Sequence, residues 1–489
     1  GGGHGLLGTL KRRPPRSPPE PSRVPHTALG RSVVSGAVAQ AAAKLTPPAE
    51  VALKPHDKWR IVGQSPPRFD VPSKVNGSAV FGMDVRVPDM LYAAARQCPV
   101  FGGKVKSVGA EAVKNLPGVH SVAEIPGGIA VVAKSYWQAK KALEALPIEW
   151  DEGENAKVSS QTIAARLKEG LNEAGATSRK EGEGAAGLAK AAKRIEAEYG
   201  APFLDHACME PMNCTARING DGTVEVWAST QNGEAALAAA AEAAGVAPDK
   251  VEVYRTMLGG GFGRRGRSDY VTQAVLVAKQ VGKPVKVIWS REEDIQHGFY
   301  RPISMGKLAC GLDGDGNPVA WHHKVVGQSI FAYLLPHLIK DGWDRSSVEG
   351  TLHDQPYAIP NVQIDFVMRN THVPVGFWRS VGHSQNAFIN ECFMDEVAHA
   401  AGKDPYQFRR ALLKSNPRWL AVLDLVAAKS DWGKPMPKGH GRGIAINESF
   451  GAIAAQVAEV SVDDRGEVHV HRMVAVIDCA HVVSFDTAI

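Results

Sequence analysis

The sequence predicts a protein of the α+β class with several domains. Its 489 residues exceed the size at which a single hydrophobic core stops growing. Residues 59–150 contain short β-type runs separated by Gly and Pro, followed by one helical run. Residues 199–416 alternate strand-like segments such as TVEVWAS and VKVIWS with helical segments such as SDYVTQAVLVAKQVG. Strands and helices mixed in this way are typical of α+β domains.

The composition excludes several classes of protein. A 44% apolar and 22% charged sequence is ordinary for a globular protein, and a net charge of +5 gives no case for nucleic-acid binding. No window approaches the 18 or more apolar residues that a membrane span requires. The six cysteines include no CxxC pair, so neither a disulfide framework nor a Cys-ligated zinc or iron–sulfur centre is expected on this chain alone. Electrons from any redox centre would therefore leave through a partner.

The chain divides by composition into six segments. Residues 1–30 are rich in Pro, Gly and Arg, which predicts a disordered or out-of-place segment, and residues 31–58 predict a strand, a turn, a helix and a linker. Residues 59–150 form the α+β module, 151–198 a helix-bearing connector on the surface, and 199–416 the largest domain. Residues 417–489 contain two strands joined at Asp464-Arg465-Gly466, a hairpin signal. The lack of an initiating Met and a strand-like run close to Ile489 lead us to expect a fragment.

The sharpest local feature is the run from Gly259 to Gly266, GGGFGRRG. Consecutive glycines let the backbone approach a ligand closely and leave its amides free to donate hydrogen bonds. The run also matches the dinucleotide fingerprint GxGxxG, lies between a predicted strand and helix, and has Glu292 downstream where a ribose-binding acid would lie. Three interpretations stay open at this point: a Rossmann site, another ligand-binding loop, or a tight turn without a ligand.

Two further segments bear on that choice. One is WASTQN, which ends in Gln231 and Asn232 between a predicted strand and helix. The other is GFWRSVGHSQ, which contains Arg379 and precedes a long predicted helix. Taken singly, Gln231 would be a helix cap and Arg379 a surface cation. Neither segment has a role in a Rossmann site.

Together these segments resemble the large subunit of the xanthine dehydrogenase and aldehyde oxidase family, in which a strand-end TQN precedes a GGGFG loop. Phe262 follows Gln231 by 31 residues, the interval expected from that family. Further positions fit the family pattern: His206, Glu210, Pro211, Arg379, Gln385, Glu391 and Cys392. GGGFGRR, RFDVPSKVNGSAVFGMDV and SFGAIAAQVAEVSV are similar to the branch of isoquinoline 1-oxidoreductase beta subunits and membrane-associated aldehyde dehydrogenases. The resemblance extends over residues 31–489.

The resemblance implies a fold and an activity. Residues 59–150 would be an α/β hammerhead domain, 199–416 the first molybdopterin-binding domain and 417–489 the truncated start of a second. Residues 31–58 would be the remnant of an N-terminal cofactor subdomain. Members of the family hydroxylate an aldehyde or an N-heterocyclic aromatic carbon, using water as the oxygen source.

The resemblance also assigns roles to residues. Gln231 would donate its amide to the cofactor, Gly259, Gly260, Gly261, Phe262 and Gly263 would crowd it closely, and Arg379 would orient the substrate or the cofactor. Arg264 and Arg265 would contact the anionic part of a molybdenum–pterin dinucleotide in its cytosine form, and no protein residue would ligate the metal. Gly266 stands where purine-oxidising members carry a Glu, which argues against a purine. The family's general base, a Glu in a GxGE motif, is absent from the chain.

The expected partners are a small [2Fe–2S] subunit, a small-molecule substrate and a cytochrome or other electron acceptor. Relatives in this branch often carry a twin-arginine leader, which implies a periplasmic or inner-membrane-associated location, with the cytoplasm as the alternative. Two other hypotheses remain: an NAD(P)-binding Rossmann dehydrogenase that uses the Gly261–Gly266 fingerprint, and an inactive fragment that retains only partner binding.

Overall fold

The computed structural model describes residues 23–26 and 31–488 and divides the chain into two compact units. The first contains the described residues up to Pro66 together with those from Val482 onward, and the second is Pro67–His481. Within the described ranges, no helix has both the length and the apolar character needed to cross a bilayer.

The first unit is small. Its elements are the antiparallel strands β1 (Arg23–His26) and β2 (Arg31–Val34), the helix α1 (Ser35–Ala42), a 3-10 turn (His56–Lys58) and the helix α14 (Phe485–Ala488). The predicted strand and helix after residue 31 are thus present. The disorder expected for residues 1–30 concerns residues outside the described ones, except that residues 23–26 form a strand.

A seven-stranded mixed sheet dominates the first half of the second unit, in the order β12-β11-β10-β13-β3-β6-β5. Its strands are β3 (Leu91–Gln97), β5 (Val119–Ile125), β6 (Gly128–Ala133), β10 (Asn213–Ile218), β11 (Val224–Ala228), β12 (Val251–Arg255) and β13 (Val285–Ile288). The helices around it are α2 (Val71–Val75), α3 (Tyr136–Ala145), α6 (Gly233–Ala244), α7 (Asp269–Val281) and α8 (Arg291–Gln296). A two-stranded ladder of β4 (Lys104–Val108) and β7 (Ile148–Asp151) lies beside it.

This sheet crosses the predicted domain boundaries. Strand β13 pairs in parallel with β3, so strands from residues 59–150 and from 199–416 share one sheet. Their apolar faces enter common cores because alternate residues of each strand point to the same side of the sheet. A division at residue 150 therefore does not separate two sheets.

The second unit also contains a five-stranded sheet in the order β8-β16-β15-β14-β9. Its strands are β8 (Ala176–Glu181), β9 (Lys193–Ala201), β14 (Ser304–Leu312), β15 (Pro318–Gly327) and β16 (Val362–Met368). The accompanying helices are α4 (Ser160–Gly170), α5 (Gly184–Lys190), α9 (Ile330–Leu334), α10 (Arg345–Val348) and α11 (Gly382–Ala400).

The prediction of a helix-bearing connector at residues 151–198 is incomplete. The segment contains α4 and α5, but it also contributes the two edge strands β8 and β9. One face of β9 is exposed and charged, while Ile195, Ala197 and Tyr199 on the other face pack on the core. That sparse alternation hid the strand among Glu, Lys and Ala.

The last part of the unit is a three-stranded antiparallel sheet in the order β17-β18-β19. Its elements are β17 (His440–Ser449), β18 (Ala452–Val462) and β19 (Val468–Asp478), preceded by α12 (Pro405–Leu412) and α13 (Pro417–Lys429). The predicted hairpin between β18 and β19 is confirmed. Ile444, Ile446 and Val457 of this sheet share one apolar core with the five-stranded sheet.

Candidate functional site

The glycine run forms a tight loop after β12, and three of its glycines, Gly259, Gly261 and Gly263, have no room for a side chain. Gly260 and Gly263 have φ angles of 101° and 109°, a region that L side chains rarely adopt. A β-carbon added to Gly263 would overlap the carbonyl oxygen of Phe377, and one added to Gly261 would lie 2.5 Å from Gln231 Oε1. The loop is therefore a closely packed backbone turn whose sequence requires glycine.

Gln231 lies at the end of β11 with its side chain against this loop. Its Oε1 accepts hydrogen bonds from the backbone amides of Gly263 (3.1 Å) and Arg265 (3.2 Å). The residue is exposed, and within the described part of the chain its amide nitrogen has no protein acceptor. The helix cap predicted as the alternative is instead Asn232, whose Oδ1 accepts from Ala235 N. The two bonds to Oε1 fix the amide plane and leave its two N–H groups free to donate.

The segment around Arg379 meets the loop from the other side. The Arg379 amide donates to the Phe262 carbonyl at 2.8 Å, and the Arg379 guanidinium lies 5.5 Å from the centre of the Phe262 ring. Arg379 is exposed and has a φ of 40°, while Val381 has a φ of 53°. Non-glycine residues held in this region concentrate at functional sites because the surrounding structure must enforce the strain. Three motifs separated by up to 148 residues of sequence thus meet at one loop.

The predicted family positions His206 and Glu210 lie beneath the loop. His206 is buried, its Nε2 lies 2.9 Å from the Phe377 carbonyl oxygen, and burial lowers its pKa below the ordinary value. Glu210 is also buried, and its Oε2 accepts from the Gly259 amide at 2.9 Å. Both side chains hold the backbone of the site, and neither is a surface group available to a substrate.

The assignment of Arg264 and Arg265 to the anionic part of a ligand is wrong as a direct contact. Arg264 is 1% exposed, forms two hydrogen bonds of 2.8 and 2.7 Å to Asp269 and lies over the Trp289 ring. Arg265 is 0% exposed and donates to backbone carbonyls and to Glu210. A 3-10 turn at residues 264–266 directs both side chains inward, which their position beside a glycine loop could not reveal.

The predicted positions Gln385, Glu391 and Cys392 lie on α11. Gln385 and Glu391 are buried, and Cys392 is partly buried. Glu391 accepts from the Tyr357 hydroxyl, from Arg409 Nε at 2.8 Å and from the Ile446 amide. These residues hold α11 in the core. Two residues without a predicted role also belong to the site: the Met83 amide donates to Glu210, and Lys286 donates to the Gly82 and Met83 carbonyls. Lys286 lies in an otherwise apolar strand, and an exposed lysine would give the same sequence pattern.

The Rossmann alternative does not agree with the sheet. In a dinucleotide-binding fold, the strands before and after the glycine-initiated helix lie side by side and parallel. Here β12 is an edge strand that pairs only with β11, and β13, the next strand along the chain, pairs with β10 and β3. Helix α7 begins at Asp269, beyond the glycines. The loop is therefore not a nucleotide-binding fingerprint.

The chain is also similar to known proteins. Over 447 residues the chain is 33% identical to the isoquinoline 1-oxidoreductase subunit beta of Brevundimonas diminuta, covering 89% of this chain and 56% of that protein. It is 30% identical over 467 residues to a membrane-bound aldehyde dehydrogenase (pyrroloquinoline-quinone) of Gluconacetobacter polyoxogenes, covering 88% and 59% of the two chains.

Among solved structures, quinoline 2-oxidoreductase from Pseudomonas putida 86 has the same fold, with a TM-score of 0.64 at 18% identity, over 84% of this chain and 62% of that one. The chain spans somewhat more than half the length of these relatives. The predicted resemblance and the mixed, multidomain fold are confirmed. Because residues 168–413 match the molybdopterin cofactor-binding domain, the chain belongs to that family.

Proposed function

We propose that this chain is the cofactor-binding part of a molybdenum hydroxylase. The reaction would hydroxylate an aldehyde or an N-heterocyclic aromatic carbon with oxygen from water. The observation that carries the proposal is the state of Gln231. Its oxygen is held by two loop amides while its N–H groups are left to donate beside a loop that admits no side chain.

The residues of the site fit a polar, anionic cofactor. A β-carbon at Gly261 or Gly263 would strike Gln231 or the Phe377 carbonyl, so glycine lets the loop pack against the segments that carry Gln231 and Arg379. The groups that remain exposed beside the loop are donors: the Gln231 amide nitrogen and the Arg379 guanidinium. Exposed donors of this kind suit a ligand with oxygen or anionic acceptors. A purine is disfavoured, because Gly266 presents open space where purine-oxidising relatives carry a carboxylate.

Each residue then has a task. The bound cofactor would supply the oxygen transfer and two-electron redox chemistry. Gln231 would donate a hydrogen bond to it and fix its orientation, and the Gly259–Gly263 backbone would allow its close approach. The exposed guanidinium of Arg379 would stabilise negative charge that develops on the substrate oxygen or would bind a cofactor phosphate; in the first role such a group contributes about 3 kcal/mol. The general base would be a Glu outside this chain.

The finer assignments rest on the family resemblance. The cofactor would be the cytosine dinucleotide form, and electrons would pass to a small [2Fe–2S] subunit and then to a cytochrome or another acceptor. In the part of the chain that the structure describes, no cysteine belongs to a group that could hold a metal, which supports clusters carried by a partner. A periplasmic or inner-membrane-associated location is proposed from the resemblance, with the cytoplasm as the alternative.

Metal and pterin analysis tests the proposal. The full-length protein would be produced together with its small subunit and the cofactor-maturation machinery, and about one molybdenum per chain is expected, as for one site of the family. A folded complex without molybdenum would contradict the proposal. Binding of NAD(P) that Gly263→Asp abolishes would revive the nucleotide alternative.

A further inference from the structure

Glu210 connects the glycine loop to a turn more than 120 residues earlier in the chain. Its Oε2 accepts from the Gly259 amide (2.9 Å) and from Arg265 Nη2 (3.3 Å). Its Oε1 accepts from the Met83 amide (3.0 Å) and from Asn213 Nδ2 (3.0 Å). Each carboxylate oxygen thus has two donors, one pair on the loop side and one pair on the side of the turn.

The turn itself, Gly82–Asp84, is held from behind by Lys286. This lysine is 0% exposed, and its Nζ donates to the carbonyls of Gly82 (2.9 Å), Met83 (2.6 Å) and Val85 (2.7 Å). Burial lowers the pKa of Lys286 to about 8, so at neutral pH the amine keeps the three protons that the three carbonyls require. No salt bridge joins Lys286 to a carboxylate in the described ranges, so backbone carbonyls are its acceptors.

The connection continues from Glu210 to the exposed amide of the site. Arg265 donates to the Gly260 carbonyl at 2.7 Å and to the Glu210 carbonyl at 2.6 Å, which fixes both sides of the loop. The Arg265 amide in turn donates to Gln231 Oε1. A shift of the turn would therefore move Glu210, then the loop backbone, and finally Gln231.

We propose that Glu210 and Lys286 are positioning residues that set the place of the Gly259–Gly263 loop by anchoring it to the Gly82–Asp84 turn. The anchoring hydrogen bonds lie within this chain, so they can be tested without a cofactor. The expected effect on cofactor retention rests on the proposed function. Neither residue touches the space beside Gln231, so both act through the loop backbone.

Hydrogen exchange of the 489-residue chain tests the anchoring directly. Glu210→Gln keeps the size of the side chain but replaces one accepting oxygen by an NH₂ group. That NH₂ group would face the N–H donors of either the loop or the turn and could not accept from them. We expect amide exchange in a peptide covering residues 257–266 to become about tenfold faster, the effect of losing one or two buried hydrogen bonds. Lys286→Met should accelerate exchange at Met83 and, to a smaller extent, in the same loop peptide.

Glu391→Gln is the matched control, because Glu391 is an equally buried carboxylate that binds an arginine and a backbone amide far from the loop. It should lower the unfolding temperature without accelerating the loop. If it accelerates the loop as much as Glu210→Gln does, or if neither Glu210→Gln nor Lys286→Met changes loop exchange, the positioning role is wrong.

A second readout separates this inference from the proposed function. In the co-produced complex, Glu210→Gln should lower the molybdenum content per folded chain, and Glu391→Gln should not. Faster loop exchange in Glu210→Gln, together with a wild-type complex that never binds molybdenum, would contradict the proposed function alone. Normal molybdenum loading with unchanged loop exchange in Glu210→Gln would contradict the positioning role alone.

Discussion

Two buried Glu–Arg pairs in this chain have the same chemistry and different surroundings. Glu210 and Arg265 lie beneath the glycine loop, and Glu391 and Arg409 lie between α11, α12 and β17. In both pairs the arginine is 0% exposed and the carboxylate also binds a backbone amide. The pairs differ in which parts of the molecule their hydrogen-bond partners belong to.

Around Glu391 the contacts hold α11, α12 and β17 to one another. Its partners are the Tyr357 hydroxyl, Arg409 and the Ile446 amide, and Arg409 also pairs with Asp395. Around Glu210 the contacts lead to the glycine loop and to exposed residues beside it. Phe262, Arg379 and Val381 there have positive φ angles, and the Gln231 amide nitrogen has no acceptor in the described chain. A buried ion pair alone therefore does not mark a site. Backbone strain together with an exposed, oriented polar group does.

The largest expected effect distinguishes two glycines of the same loop region. Gly263→Ala places a β-carbon on the Phe377 carbonyl at a φ of 109°, where the backbone strain alone costs about 1–3 kcal/mol, so we expect loss of bound molybdenum. Gly266→Ala meets nothing within 4 Å and should change stability by less than about 0.5 kcal/mol. The molybdenum content and the thermal unfolding temperature of both variants test this prediction. If the two variants gave the same values, the close packing at Gly263 would not be required for the site.

Arg409→Met breaks the other pair and should affect only stability. It leaves Glu391 buried without its cation, which typically costs about 3–5 kcal/mol. Denaturant unfolding should show this loss, while the metal content per folded chain stays at the wild-type value. A selective loss of metal from the folded fraction would mean that the two regions are coupled, contrary to the comparison.

Gln231→Glu is a smaller and more specific change at the site. The carboxylate can still accept from Gly263 and Arg265, so the fold should keep its unfolding temperature. It can no longer donate, and losing a hydrogen bond to a charged group costs about 1.5–3 kcal/mol, or roughly 10- to 100-fold in turnover. Steady-state kinetics of the loaded complex would measure it. Unchanged turnover would show that the free N–H groups have no role in the reaction.

The five-stranded sheet contains a buried polar group with no function assigned. His323 is 0% exposed, and neither ring nitrogen has a partner in the described chain. His323→Leu should therefore stabilise the chain by about 1–3 kcal/mol. The neighbouring His322 has a hydrogen bond of 2.7 Å to Asp365, so His322→Leu should destabilise it instead. Denaturant unfolding at pH 7 compares the two variants. A loss of stability in both would contradict the claim that the buried His323 ring has no hydrogen-bond partner.

His323 also predicts a pH dependence. Burial lowers the pKa of His323 to about 3 from its ordinary 6.5. Between these values the unfolded chain binds a proton that the folded chain does not, so stability falls as the pH falls below 6.5. By pH 5 wild type should have lost about 2 kcal/mol relative to His323→Leu. A pH-independent difference between the two proteins would show that the pKa of His323 is the same in the folded and the unfolded chain.

The sequence allowed the site to be predicted wherever a motif fixes the backbone. Gln231, the glycine loop and Arg379 meet as expected because glycine at a positive φ and a strand-end TQN leave few alternative conformations. The directions of Arg264 and Arg265 could not be predicted, because a 3-10 turn and the acceptors Asp269 and Glu210 decide them, and those acceptors come from tertiary contacts. Strands β8 and β9 were missed because charged and polar side chains interrupt the apolar pattern in both segments, ATSRKE and KRIEAEYGA.

Locating the metal tests the central claim most directly. Crystals of the co-produced complex, measured on both sides of the molybdenum absorption edge, would give the metal position independently of any assumed ligand. The account predicts one anomalous peak per chain in the space bounded by Gln231, the Gly259–Gly263 loop and Arg379. A molybdenum peak elsewhere in the protein, with this space filled by solvent, would contradict it.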